Sequence, residues 1–207
     1  MAIKINPKTS ALIIQDMQND VIIEGGAFAD SGAPAHAIKQ NVVANIKATA
    51  EAARKAGMQV IHVWFIVEPG ALGLKINSPL FKGVKDAKAL VRGSWGAAPA
   101  KGLEPKKGDI VVEKMRMNAF HETRLNAVLN GLGVDTLVIS GAWTNFSIEH
   151  TARHAADLGY RAVVLTDGSS TVNDQWQDAA INFALQNVAE RVKCKDVITA
   201  LSKNKKK

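Results

Sequence analysis

The chain has 207 residues, of which 47% are hydrophobic and 22% are charged, a balance that suits one globular domain over 1–207 and excludes an intrinsically disordered chain. No apolar run approaches the roughly 18 residues that a membrane span requires, and the polar N-terminus lacks the apolar core of a secretory signal, so we expect a cytoplasmic protein. The formal net charge is +7, but much of it lies in 203–207, which we interpret as a basic tail and not as a nucleic-acid-binding device.

Short, continuously apolar segments alternate along the chain with longer segments that have helical spacing. The apolar segments predict strands at 11–16, 58–66, 109–114, 135–140 and 161–167, with a short strand at 191–195. Helices are predicted at 35–56, 121–132, 146–158, 174–190 and 196–202. Gly57, Gly133 and Gly159 follow three of these helices, where a left-handed residue commonly ends a helix. Because continuous apolar strands are typical of parallel sheets, the pattern predicts an α/β fold with a doubly wound, mainly parallel sheet flanked by helices on both faces.

The connection 68–108 interrupts this alternation. It is far longer than most connections between elements, is rich in Gly and Pro, and carries Trp95. We therefore interpret it as a functional lid or as a loop that contacts another subunit.

Three polar residues stand at or just after the ends of predicted strands. Asp16 closes the first strand, Lys114 closes the third, and Ser147 lies in the loop-to-helix junction after the fourth. Ligands of open α/β sheets bind beyond the carboxyl ends of the strands, so these side chains would converge as a carboxylate, an ammonium group and a nucleophile. Each also has a structural alternative: a turn residue for Asp16, a surface lysine for Lys114 and a helix cap for Ser147.

Three blocks of sequence surround these residues: ALIIQDMQND, VVEKMRMNAF and ISGAWTNFSIEHTARHAADLGY. In this order they resemble the signature blocks of the isochorismatase-like, or cysteine hydrolase, superfamily, and in particular its amidohydrolase branch. The resemblance implies that Asp16 is the general base, that Lys114 is its charged partner, and that Ser147 occupies the position of the nucleophilic cysteine. It also implies a cis peptide bond between Ala142 and Trp143, with the backbone amides of Trp143 and Ser147 forming an oxyanion hole.

Serine at position 147 departs from the pattern of the amidohydrolases. A cysteine at a helix start is favoured as a thiolate by the helix dipole and by a nearby lysine, whereas a serine hydroxyl is far less acidic and Asp16 is a poor base for it. Two interpretations remain open: a cysteine-to-serine substitution engineered to hold substrate without turnover, or a natural serine in a divergent or non-catalytic member. Cys194, the single cysteine, excludes an internal disulfide and is typical of a buried packing residue.

No metal or other cofactor is predicted. Nicotinamidases of the superfamily hold a metal through an Asp and two His residues after the second strand, and the corresponding stretch HVWFIVEPGALG contains no such set. We interpret His62 as a core or pocket-wall residue. His121 lies on one predicted helix, and His150 and His154 lie four residues apart on another; a pair without a third ligand is typical of a solvated face.

A pocket wall is also expected around the strand ends. The predicted substrate-binding residues are Asn19, Trp64, Arg92, Trp95, Asn118, Phe120 and Trp143. A cation beside aromatic side chains would suit a small ureido or carboxylate-bearing compound, so we predict linear amides or ureido compounds as substrates.

Three functions, two of them hydrolytic and the third from a different class, are consistent with the sequence. The first is a hydrolase of C–N bonds in small amide or ureido compounds, impaired here by Ser147. The second is an isochorismatase-type vinyl-ether hydrolase that uses Asp16 as an acid and needs no nucleophile. The third is a catalytically silent binding or scaffold protein that has kept the fold. Relatives commonly form dimers or tetramers, so the resemblance also implies a homo-oligomer.

Overall fold

The computed structural model describes residues 3–203, so that most of the predicted basic tail lies outside the described residues. The strands in this range are β1 (Ser10–Gln15), β2 (Gln59–Phe65), β3 (Ile110–Lys114), β4 (Thr136–Ala142), β5 (Arg161–Ser170) and β6 (Glu190–Val192). They form one parallel sheet in the order β3-β2-β1-β4-β5-β6. The winding direction reverses between β1 and β4, which is the crossover point of a doubly wound sheet. The predicted fold class is therefore confirmed.

Helices cover both faces of this sheet. The α-helices of the described residues are α1 (Asn19–Ile22), α2 (Ala33–Lys39), α3 (Val42–Lys55), α4 (Pro79–Asp86), α5 (Leu125–Gly131), α6 (Glu149–Asp157), α7 (Asp174–Asp178) and α8 (Cys194–Lys203). One π-helical segment, Thr144–Ile148, leads directly into α6, and another, Ala179–Ala184, continues α7. Between 3 and 203 there is no helix of the length and apolar character needed to cross a membrane.

The sheet divides the apolar core into two layers. On β1, Leu12 and Ile14 belong to the layer that includes residues of α3 and α8. The alternate residues of the same strand, Ala11 and Ile13, belong to the layer formed with α5 and α6. Every residue of β1 is buried, because the strand lies inside the sheet and is covered on both faces. This two-sided burial explains why the strands read as continuously apolar.

Several helix and strand bounds differ from the predicted ones. The predicted helix 35–56 is divided into α2 and α3 by Asn41, whose φ of 51° lies in the left-handed region that asparagine tolerates better than most residues. The predicted helix 174–190 widens into π geometry and ends at 184. Cys194 begins α8 and does not lie in the last strand. The connection 68–108 contains α4, a helix that the sequence analysis does not predict.

Gly141 lies near the end of β4, where this strand runs beside β1. Its φ is 127°, and a Cβ atom built on it would lie 2.0 Å from the backbone oxygen of Gln15. No side chain fits at that separation unless one strand moves. Because Gln15 directly precedes Asp16, the close approach at Gly141 fixes the spacing of the two strands next to the candidate site.

We predict that Gly141→Ala lowers the free energy of unfolding by about 3 kcal/mol or more, because a methyl group adds backbone strain and a clash with β1. Gly159→Ala is the matched control: its φ is 87°, but nothing lies within 4 Å of the added Cβ, so only a conformational cost of about 1–2 kcal/mol applies. Urea unfolding of both variants measures the difference. Equal losses would mean that the contact with β1 does not constrain position 141.

Candidate active site

Asp16, Lys114 and Ser147 come together at the carboxyl end of the sheet. Asp16 follows β1 with a left-handed φ of 53°, Lys114 ends β3, and Ser147 lies in the π-helical segment after β4. Lys114 Nζ donates to Asp16 Oδ2 at 2.8 Å, and Asp16 and Ser147 line the same cavity. Residues separated by as many as 131 positions in the chain thus contribute to one small site, as their strand-end positions predict.

The ion pair between Lys114 and Asp16 is almost completely removed from water. The Lys114 side chain is 0% exposed and that of Asp16 is 5% exposed. Lys114 Nζ also donates to the carbonyl oxygen of Arg116 at 2.8 Å, and it lies 4.8 Å from the centre of the Phe65 ring. These contacts hold the ammonium group in one place, and because it is buried it pairs with Asp16 without competing hydrogen bonds from solvent.

Burial and pairing act in opposite directions on both groups. Burial raises the pKa of Asp16, and the charge and hydrogen bond of Lys114, with a smaller contribution from the Ser147 hydroxyl, oppose that rise. Burial likewise lowers the pKa of Lys114, and Asp16 opposes that change. Among the described residues, Asp16 Oδ1 has no hydrogen-bond partner. The carboxylate therefore has one oxygen fixed by Lys114 and a second oxygen available to accept a proton.

The segment that carries Ser147 is fixed by buried side chains of other elements. Gln15 Nε2 donates to the carbonyl oxygen of Ser147 at 3.4 Å and to that of Met117 at 2.9 Å. Thr144 Oγ1 donates to Gln177 Oε1 at 2.7 Å. Since Gln15 precedes Asp16, adjacent residues of β1 and the turn after it position both reacting groups.

The cavity beside these groups is small and apolar. Its volume is about 50 Å³. Apart from Asp16 and Ser147, the lining consists of Val21, Phe28, Phe65, Leu80, Val84, Leu90, Met117, Ala142, Trp143 and Phe146. The Trp143 indole Nε1–H donates to the carbonyl oxygen of Val21 at 3.2 Å, so its polar group is already occupied. The walls therefore offer van der Waals contact and few hydrogen bonds.

A wider groove of about 1100 Å³ lies at the opposite end of the sheet. Its lining includes Thr136 and Arg161, the first residues of β4 and β5. Arg161 is paired there with Glu190 at 2.6 Å. This groove shares none of the three reacting groups, so the smaller cavity is the candidate site.

Comparison with known proteins agrees with this geometry. Residues 10–195 match the family model described as the Isochorismatase domain. The chain belongs to the isochorismatase family. A cysteine hydrolase from Pseudomonas syringae pv. phaseolicola 1448A is 25% identical with a TM-score of 0.86, the alignment covering 97% of this chain and 96% of that one.

Two further structures share this isochorismatase fold. An isochorismatase family protein from Desulfovibrio vulgaris subsp. vulgaris str. Hildenborough is 29% identical with a TM-score of 0.79, over 96% of this chain and 99% of that one. The N-carbamoylsarcosine amidase from Thermoplasma acidophilum is 23% identical with a TM-score of 0.69, over 90% and 96% of the two chains. The last likeness supports the fold alone. The family match and the likeness to the P. syringae cysteine hydrolase place this chain in a hydrolase family.

The wall of the cavity differs from the predicted one. Trp143 lines it, but the other six predicted substrate-binding residues do not. Arg92 is exposed and pairs with Glu68 and Glu113. Trp95 is 56% exposed, and its carbonyl oxygen accepts a hydrogen bond from the Asn19 side chain at 2.8 Å.

Trp64, Asn118 and Phe120 are also placed away from the cavity. Trp64 is half-buried on β2 and contacts the ring of His62. The Asn118 side chain accepts a hydrogen bond from the Phe120 amide at 2.9 Å. Phe120 stacks on His154 and Tyr160 in the core layer on the side of α5 and α6. None of these three residues lines the cavity.

The histidines lie apart from the reacting groups. His62 is buried, as predicted, but Nε2 lies 3.1 Å from Asp109 Oδ2 and the ring does not line the cavity. Burial lowers its pKa, and the hydrogen bond with Asp109 opposes that change. His150 is exposed, and His154 is half-buried against Phe120. Within 3–203, no three His, Cys, Asp or Glu residues are clustered so that they could hold a metal ion.

Cys194 is buried at the start of α8. Burial raises the pKa of its thiol to about 12. A thiol of that pKa is almost entirely protonated at neutral pH and is a poor nucleophile. The predicted packing role of Cys194 is therefore confirmed.

Sequence reasoning missed most of the cavity wall, above all the residues of α4. Leu80 and Val84 both reach the cavity, and the helix that carries them begins with Pro79. The segment PLFKGVKD contains the signal: a proline suited to a first helical turn, followed by apolar residues four apart. The Gly- and Pro-rich surroundings concealed this short helical pattern.

We predict that Asp16→Asn lowers the free energy of unfolding by about 3–5 kcal/mol, because it leaves the Lys114 ammonium group buried without its counterion. Asparagine is the appropriate replacement, since it tolerates the positive φ at position 16. The double variant Asp16→Asn/Lys114→Met removes both charges and should regain most of the loss. Urea unfolding of the single and double variants measures the coupling. A double variant that is less stable than Asp16→Asn would contradict the prediction.

Proposed function

We propose that this isochorismatase-family chain is built to hydrolyse the C–N bond of a small amide, with residue 147 as nucleophile and Asp16 as the proton-transfer group. The observation that carries the proposal is the state of the Asp16 carboxylate. Oδ2 is bound by Lys114 at 2.8 Å, Oδ1 has no partner among the described residues, and Ser147 shares the cavity. A fixed carboxylate with one available oxygen in the same cavity as a hydroxyl group is an arrangement in which a general base can activate a nucleophile for acyl transfer.

In the proposed reaction, Ser147 Oγ attacks the carbonyl carbon of the amide while Asp16 Oδ1 accepts the hydroxyl proton. The C–N bond then breaks, and the departing nitrogen takes the proton from Asp16 and leaves as ammonia or an amine. Water attacks the acyl ester next, giving its proton to Asp16. The second tetrahedral intermediate releases the carboxylic acid, and Ser147 regains a proton.

Lys114 supports this cycle by electrostatics. Its charge and hydrogen bond act against the burial that raises the pKa of Asp16, and so favour the ionised, basic carboxylate. The backbone amides of Trp143 and Ser147 are the proposed donors to the oxyanion. Trp143 and Ser147 flank the turn at which β4 passes into the π-helical segment, and the peptide bond before Trp143 is cis.

The serine limits the rate of this reaction. Alkoxide formation from a serine costs far more than thiolate formation from a cysteine, and a carboxylate is a weak base for either. The related structures from P. syringae and T. acidophilum are named as a cysteine hydrolase and an N-carbamoylsarcosine amidase. These names support the hydrolysis of C–N bonds and a cysteine nucleophile among related proteins.

We predict that Ser147→Cys raises ammonia release from small amides by at least about 100-fold over the unmodified chain, a difference of roughly 3 kcal/mol in barrier height. The replacement keeps the shape of the side chain and supplies a more acidic nucleophile. The measurement is enzyme-coupled ammonia detection with a panel of amides, and Cys194→Ser in the same background excludes a contribution from the other thiol.

The alternatives give different results in the same assay. A vinyl-ether hydrolase would convert isochorismate at the same rate with either residue at position 147. A silent binding protein would release no ammonia, and ligand binding would survive Asp16→Asn and Lys114→Met.

The pH dependence gives a second prediction. In the Ser147→Cys background, Lys114→Met should shift the acidic limb of kcat/KM to higher pH. Lys114 holds the pKa of Asp16 below the value that burial alone would give, so without it the carboxylate is protonated at higher pH and the base is lost earlier on acidification. Lys195→Met, at an exposed position on α8, is the control and should leave the limb unchanged. An unchanged limb in Lys114→Met would contradict the role of Lys114.

A further inference from the structure

We propose that the cavity accepts the neutral amide of a short, apolar acid, and that Leu80 and Val84 of α4 determine the length of its acyl group. This inference rests on the proposed function and narrows its substrate class. It replaces the ureido and carboxylate-bearing compounds that the sequence predicts.

The chemistry of the walls selects against polar acyl groups. All cavity-lining residues other than Asp16 and Ser147 are apolar, and the Trp143 indole N–H is bound to Val21. A ureido nitrogen or a hydroxyl group placed against these walls would lose its hydrogen bonds to water and gain none. Such an unpaired buried group costs about 1–3 kcal/mol. An alkyl chain of the same shape has no such cost.

No lysine or arginine is among the described residues that line the cavity, so a carboxylate-bearing substrate has no cation there to receive it. Lys114 is fully buried and already bound to Asp16 and Arg116. Arg92, the cation predicted from the sequence, is exposed and paired with two glutamates. A second carboxylate in the cavity would therefore lie near Asp16 without a counterion, which is unfavourable through both repulsion and desolvation.

Arg116 is a further cation, two residues after Lys114, and its side chain contacts the connection 68–108. Its guanidinium lies 3.5 Å from the centre of the Phe81 ring. It donates to the carbonyl oxygen of Lys75 at 3.0 Å and to Asn77 Oδ1 at 2.8 Å. These bonds occupy the guanidinium and anchor the start of α4.

The size of the cavity limits the acyl group. A volume of 50 Å³ corresponds to about three to five water-sized positions, at roughly 10–15 Å³ each. Amides of about four to six heavy atoms, from acetamide to butanamide, match this space. Longer acyl chains and aromatic rings would require part of the cavity wall to move.

Helix α4 contributes Leu80 and Val84 to the wall, and we call this part of the wall the roof of the cavity. Leu80 and Val84 are four residues apart and project into the cavity together, while Phe81 is buried and Lys82 and Lys85 are exposed. Shortening Leu80 or Val84 would lengthen the cavity without touching the reacting groups. The acyl-length preference should therefore follow these two positions.

Binding to the unmodified chain provides the first test. Isothermal titration should give butanamide a dissociation constant about fivefold or more below those of ethylurea, its isostere, and succinamate, its carboxylate analogue, since an unpaired polar group that costs about 1 kcal/mol or more weakens binding by about fivefold or more. Equal or tighter binding of ethylurea or succinamate would overturn the inference.

Turnover by Ser147→Cys provides the second test. Leu80→Ala in this background should raise the ratio of kcat/KM for hexanamide over butanamide by about tenfold or more, since each methylene accommodated in a pocket is worth about 10- to 200-fold. Leu72→Ala makes the same chemical change at a side chain that is 70% exposed and should leave the ratio unchanged. Val84→Ala is the second variant if Leu80→Ala does not fold. An unchanged ratio in a folded roof variant would overturn the assignment of α4.

Failure of the proposed function has a different signature. If butanamide binds selectively but Ser147→Cys releases no ammonia from any amide, the substrate class stands and the hydrolytic mechanism is wrong. If Ser147→Cys hydrolyses succinamate or ethylurea in preference to butanamide, the mechanism stands and the substrate class is overturned.

Discussion

The buried ion pair between Lys114 and Asp16 is the interaction on which the site depends. β1 and β3 are not neighbours in the sheet, because β2 lies between them, so Lys114 reaches across the end of β2 and over the ring of Phe65. Burial disfavours the charge on both partners, so that the pKa of Asp16 is raised and the pKa of Lys114 is lowered, and each partner offsets part of that effect for the other. Buried groups whose pKa values are shifted in this way are typical of functional sites.

The block QDMQND, which begins at the last residue of β1, contains Asp16 and also contacts the connection 68–108. Gln18 donates to the carbonyl oxygens of Phe65 and Ala97, and Asp20 accepts hydrogen bonds from the amides of Ala27 and Leu90. These bonds tie part of the connection 68–108 to the end of β1. The side chains of Gln18 and Asp20 therefore form hydrogen bonds with main-chain groups of other segments.

The sheet and the convergence of Asp16, Lys114 and Ser147 could be predicted because both follow from local patterns. Continuous apolar segments locate strands, and a side chain next to a strand end inherits its position from the topology. The cavity wall could not be predicted in the same way, because it depends on the path of a long connection. Arg92 is of a residue type that often binds ligands. However, the two glutamates with which it pairs are 24 and 21 positions away in the chain, so the pairing could not be recognised from the local sequence. Phe120 lies soon after β3 in the chain. It nevertheless stacks on Tyr160 in the core layer formed with α5 and α6, and so does not line the cavity.

In the proposed reaction, the small volume of the cavity limits which molecules can lie beside Asp16 at the same time. An acyl group bound to residue 147 would fill most of the 50 Å³ available, so the departing amine and the incoming water cannot both lie beside the carboxylate. The amine must diffuse out before a water molecule enters the same position. Such ordered exchange at a single position belongs to ping-pong kinetics, and it allows an added amine to compete with water for the acyl group.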